Sequence, residues 1–124
     1  MAQQNTALVL IGLQELWRDK KSDYHLRNMD SLIDRACYLI QYAREMNYKI
    51  IFIRHTEQEW PFADKDPLSQ IIEDLCPQPE DIIIKKTKIS SFYKTRLEEE
   101  LQWIKNIVVA WIPTNLCVRM FVIS

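Results

Sequence analysis

Two side chains in this sequence have the chemistry of a nucleophilic site, Cys117 and Lys86, and a third position, Gly12, lacks what such a site needs. A cysteine attacks a carbonyl carbon as its thiolate, and a nearby ammonium favours that form. The tetrahedral intermediate then needs donors for its oxyanion and a base that carries the thiol proton to the leaving group. Lys86 follows the apolar run Ile82-Ile83-Ile84 and precedes Ser90-Ser91-Phe92. Cys117 follows Ile107-Val108-Val109-Ala110, within Trp111-Ile112-Pro113-Thr114-Asn115-Leu116-Cys117-Val118. Backbone N–H groups in the turn over residues 113–117 are the candidate oxyanion donors. The first apolar run, Ala7-Leu8-Val9-Leu10-Ile11, ends in Gly12, which has no side chain to serve as the base.

The apolar runs before these positions read as short buried strands. Strands are expected at 7–12, 49–54, 82–86 and 106–112, each rich in Ile and Val and bounded by turn-forming or charged residues. Between them, Leu32, Ala36, Leu39, Ile40, Ala43 and Met46 recur at helical spacing and predict an amphipathic helix over 29–46. Asn28 or Asp30 would cap its start and Asn47 its end. A polar loop with Pro61 and Pro67 follows the second strand. A short helix is expected at 68–75, a break at Pro77 and Pro79, and a helix at 94–103 whose glutamates at 98–100 face solvent. Residues 114–124 read as the start of another helix. Strands alternating with helices imply a parallel sheet covered on both faces by right-handed crossovers. Ligands of such sheets bind outside the carboxyl ends of the strands, where Gly12, Lys86 and Cys117 would all lie.

At 124 residues and 48% hydrophobic, the sequence suits a single domain, 1–124, and is not that of a disordered chain. The formal net charge of −1 comes from interspersed acids and bases, which argues against a nucleic-acid partner. No apolar stretch approaches the ~20 residues of a membrane span. The polar first residues do not resemble a signal peptide, so a cytoplasmic location is expected. Cys37 and Cys76 are expected as small buried hydrophobes, and the cysteine spacing suggests neither a zinc site nor a disulfide framework. One glycine in 124 residues is far below the usual ~7%, so Asn, Asp, Lys or Pro must make the turns that glycine ordinarily makes.

Four ordered segments resemble the isochorismatase-like cysteine hydrolases, the superfamily that includes nicotinamidases and related amidases. They are Ala-Leu-Val-Leu-Ile-Gly-Leu-Gln at 7–14, Ile-Ile-Phe-Ile-Arg-His-Thr at 50–56, the stretch 83–97 with Lys86, Ser90-Ser91-Phe92, Thr95 and Leu97, and 108–118 with Thr114-Asn115 and Cys117-Val118. The resemblance implies a three-layer α/β/α sandwich on a six-stranded parallel sheet, of which this chain would hold the part ordered 3-2-1-4. It also implies an Asp-Lys-Cys triad. Lys86 takes the lysine position, Cys117 the nucleophile position, and Gly12 the position of the aspartate. A cis peptide of the family's nucleophile loop maps onto Ile112-Pro113.

The departures are specific. Gly12 removes the general base, Trp111 stands where the family has a small residue, and the family's last two βα units have no counterpart. The fourth strand would then be an open, apolar edge, which together with the family's habit predicts a homodimer or higher homo-oligomer. The expected function is hydrolysis of a small amide or related acyl substrate through Cys117, impaired by loss of the base. The alternative is a catalytically inactive member serving as a binding or dimerisation module. Gln14, Trp17, His55, Trp60, Phe62 and Phe92 are the candidate pocket residues. His55 has only Glu57 and Glu59 near it in sequence and His25 is remote, so neither a metal nor a cofactor is expected. Glu15 is expected to cap or face solvent rather than replace the base.

Overall fold

The structure is a computed structural model; it describes residues 5–19, 21, 27, 29–60, 63–86 and 96–111, together with the backbone of 119–123. Its elements are β1 (Thr6–Ile11), α1 (Met29–Glu45), β2 (Lys49–His55), β3 (Ile82–Lys86), α2 (Leu97–Glu100), β4 (Asn106–Trp111) and β5 (Arg119–Ile123). The sheet order is β3-β2-β1-β4-β5. The first four strands are parallel in the expected order, 3-2-1-4, with β1 paired to both β2 and β4.

Alternation along the strands sorts the core into two layers, because successive side chains point to opposite faces. Leu8 and Leu10 of β1, Ile50 and Phe52 of β2 and Ala110 of β4 pack against α1 through Leu32, Ile33, Ala36, Ile40 and Ala43. Val9, Ile51, Ile53 and Ile84 form the other layer with Leu97 of α2. The result is helix, sheet, helix, as the three-layer reading requires. α1 stops where expected. Asn47 takes a left-handed φ of 58°, and the Tyr48 N–H bonds back to the Ala43 carbonyl at 2.8 Å, closing the helix without glycine.

Several expectations need correction. The short helix at 68–75 is two separate 3-10 turns, Pro67–Ser69 and Glu73–Leu75, because this chain bonds outward to the segment after β1. Besides Asn47, positive φ falls on Cys76 and Trp103, residue types not expected there. Neither Cys37, which is partly exposed, nor Cys76, which is exposed, is a buried hydrophobe. The largest difference is at 114–124. Its described part is not helical: β5 runs antiparallel to β4, with Trp111 opposite Arg119 and Ile107 opposite Ile123. β4 therefore has partners on both sides, and the open edge that motivated dimerisation through this strand is absent.

Candidate active site

Three strand ends on the carboxyl side of the sheet carry described candidates. β3 ends in Lys86, β2 in His55 and β1 runs into Gly12. His55 and Lys86 are paired in register, and the Thr56 N–H donates to the Lys86 carbonyl at 2.9 Å. Counting along the strands, Lys86, His55, Ile11 and Trp111 all have the parity of the α2-covered face. Lys86 is partly buried, and that burial holds its ammonium below the usual lysine range. The His55 ring nitrogen Nε2 is 3.0 Å from a carboxylate oxygen of Glu57. Among the described residues no cluster of three or more His, Cys, Asp or Glu side chains could hold a metal ion.

The Gly12 turn is built with backbone precision. Its N–H donates to the Ile53 carbonyl at 2.8 Å, and its own carbonyl accepts from the Gln14 N–H and from the Trp17 indole, both at 2.9 Å. Its φ is +73°, a conformation that side chains rarely adopt, yet among the described residues a Cβ placed there would meet no atom within 4 Å. Among the described residues, then, the backbone angle is what resists a side chain at this position. Asp and Asn tolerate this region better than other non-glycine residues. Glu15 does not reach into that space. Its carboxylate is engaged by Arg18 at 2.6 and 2.8 Å and by the Glu73 N–H at 3.2 Å.

Two of the candidate pocket residues, Gln14 and Trp17, hydrogen-bond to the backbone of the strand ends. Gln14 is 1% exposed, and its amide mimics a strand: Nε2 donates to the His55 and Ser69 carbonyls, and Oε1 accepts the His55 N–H. Trp17 packs on the α1-side core while its indole closes the Gly12 turn. Trp60 is 60% exposed on the loop after β2. Phe62, Phe92, Ile112, Pro113, Thr114, Asn115, Leu116 and Cys117 lie outside the described residues, and so does the Ile112-Pro113 bond.

Arg54 and Asp64 were missed by sequence reasoning. Arg54 is 5% exposed and donates to Asp64 Oδ1, the Asp64 carbonyl, the Ser69 carbonyl and Ser69 Oγ, at 2.7 to 3.0 Å. Lys85 reaches the other Asp64 oxygen at 2.6 Å, and with Arg54 it holds that carboxyl below the ordinary range. The signal was present: an arginine directly after Ile-Ile-Phe-Ile must be paired if it is buried with them. This network fastens the loop after β2, which carries Trp60, to the strand ends.

A cavity of about 300 Å³ opens at the opposite, amino edge, lined in part by Arg44, Tyr48, Lys49 and Asp81. Its cations are already committed, Arg44 to Asp81 and Lys49 to Glu100, and it is remote from every candidate above.

The α/β/α domain thus gathers a lysine, a histidine and a tight glycine turn at the carboxyl ends of its parallel strands. The chain belongs to the isochorismatase-domain family, whose sequence description matches residues 6–124. An uncharacterized isochorismatase family protein of Bacillus subtilis, YrdC, is 31% identical over 120 residues, covering 94% of this chain and 63% of that protein. The ureidoacrylate amidohydrolase RutB of Agrobacterium fabrum is 42% identical over 51 residues, 40% of this chain and 22% of that enzyme. A crystal structure of an isochorismatase family protein superposes with a TM-score of 0.76 at 32% identity, covering 94% of this chain and 69% of that one. The chain thus spans less than two thirds of the length of the Bacillus protein.

Proposed function

We propose that this chain is a hydrolase of small amides or related acyl compounds that uses Cys117 as nucleophile, Lys86 as the cation that favours its thiolate, and a site weakened by Gly12 where a carboxylate base would serve. The observation that carries this reading is the gathering of Lys86, His55 and the Gly12 turn at one edge of a sheet in the family order. The name of the RutB relative adds an amide-cleaving precedent. In the proposed reaction the Cys117 thiolate attacks the carbonyl carbon, and backbone donors of the 112–117 loop receive the oxyanion. The amine leaves with a proton, and water then releases the acyl group. Without a side chain at 12, water must move the protons. Loss of a positioned acid–base group costs about 10²–10⁴ in rate.

One observation favours the alternative, a catalytically inactive member acting as a binding or dimerisation module. Gly12 sits at φ +73°, a backbone suited to glycine in its own right and not merely a site that has lost its carboxylate. Gly12→Asp separates the two. Kinetics on a panel of small primary amides and ureido acids should rise by about 10²–10⁴ in kcat/KM with the base restored. A folded Gly12→Asp chain with no gain on any substrate would favour the inactive module.

A further inference from the structure

Cys37 and Cys76 take no part in the reading above, and their sulfurs converge on one atom. Cys37 Sγ lies 3.3 Å and Cys76 Sγ 3.6 Å from the carbonyl oxygen of Asp74. No disulfide joins them. Cys37 projects from the middle of α1; Cys76 ends the 3-10 turn Glu73–Leu75, in a left-handed conformation with φ 50° and ψ 60°. The Cys76 backbone is pinned, its N–H to the Glu73 carbonyl at 2.9 Å and its carbonyl to Gln78 at 2.9 Å and Arg44 at 3.5 Å. Cys37 packs at the margin of the α1-side core, and the hydrogen bonds of the two thiols are weak S–H···O contacts, which side-chain rotation gives up at little cost.

We propose that Cys37 and Cys76 are a thiol–disulfide exchange site that takes a low-molecular-weight disulfide of the glutathione type. The Cys76 thiolate attacks one sulfur of the small disulfide, breaks its S–S bond and expels one small thiolate, leaving a mixed disulfide on Cys76. Cys37 gives its proton to solvent and attacks the Cys76 sulfur, which expels the second small thiolate and forms the protein disulfide. Two protein thiols are oxidised and one small disulfide is reduced to two thiols. The order follows from access: Cys76 is exposed and Cys37 only partly so. Burial, with Asp74 and Cys76 alongside, also pushes the Cys37 thiol up, which leaves less of it as thiolate and makes it the poorer first attacker.

The bridge would fasten α1 to the segment that braces the first strand end. Ile71 pairs with Gln14, the Ile72 N–H donates to the Leu13 carbonyl at 3.0 Å, and the Glu73 N–H reaches Glu15. Oxidation at Cys76 therefore lies a few residues from the backbone that holds the Gly12 turn.

The test is to equilibrate the full chain in a series of reduced and oxidised glutathione buffers, native and in urea, then quench and map the peptides by mass. The native chain should yield a bridge joining the peptides of Cys37 and Cys76. Its equilibrium constant should exceed that in urea by tenfold or more, about 30 mV in potential. Cys37→Ser should stop at a glutathione adduct on Cys76. Should the mapping be complicated by Cys117, Cys117→Ser is the background in which to repeat it. Equal bridging in folded and unfolded chain, or two separate glutathione adducts with no bridge, would overturn the proposal.

Discussion

On the face that α1 covers, Leu8, Leu10, Ile50, Phe52 and Ala110 lie beneath a helix of 17 residues and are all but sealed from water. On the other face, Val9, Ile51 and Ile53 are equally sealed, but Ile11, Ile82, Ile107 and Val109 around them are only partly covered, and the helix above, α2, has four residues. The same strands supply both layers, so the difference lies in what covers them. Among the described residues the larger buried cluster is on the α1 side. The site candidates Lys86 and His55 have the parity of the face that α2 covers.

The comparison is easiest to break with paired truncations. Phe52→Ala should cost about 3–5 kcal/mol, the loss expected for a large buried aromatic. Val109→Ala, on the half-covered face, should cost less than about 1 kcal/mol. Urea unfolding of both variants measures this, and equal costs would mean the second face is as well packed as the first. Arg54→Met comes next, at about 2–3 kcal/mol, because it removes four hydrogen bonds to Asp64 and Ser69 and one of the two cations on Asp64, leaving only Lys85.

A smaller effect should appear in acid. Lys85 first and Arg54 second hold the Asp64 carboxyl below its ordinary value. Its contribution is therefore complete above about pH 4, the unfolded carboxylate's range, and is lost as pH falls further. Asp64→Asn should flatten the stability–pH curve below about pH 4 and leave its shape above that unchanged. Lys86 has the opposite sign of interest. Burial depresses its folded pKa, so the charged form is disfavoured in the fold, and stability should rise between that depressed value and the unfolded value near 10.4. Lys86→Met should accordingly not lower Tm at neutral pH, although it should suppress any hydrolysis. A clear fall in Tm would show that Lys86 is held for structure rather than chemistry.

The parallel sheet was legible because its four apolar runs are short, rich in Ile and Val and separated by one strongly periodic helix. Lys86 and Gly12 were legible because strand ends are. The tail was not. Arg119-Met120-Phe121-Val122-Ile123 is apolar and partly β-branched, and so short a run fits either element until its partner is known; that partner, β4, is reached only through the fold. Gln14 was legible only as part of the resemblance at 7–14; that its amide donates to and accepts from backbone far along the chain is visible only in the fold. Arg54 and Cys76 were hidden by their sequence contexts, a strand end and a proline-flanked turn. What they touch is distant in sequence: Asp64 and Ser69 for one, the helix bearing Cys37 for the other.

The proposed pairing of Cys117 with Lys86 can be read from the pH dependence of Cys117 alkylation in a Cys37→Ser, Cys76→Ser chain, with and without Lys86→Met. Rapid alkylation well below pH 8.5, the ordinary thiol midpoint, is expected, with a shift of the profile to higher pH when Lys86 is replaced. A Cys117 that titrates as an ordinary thiol in both chains, or with a profile indifferent to Lys86, would contradict the pairing.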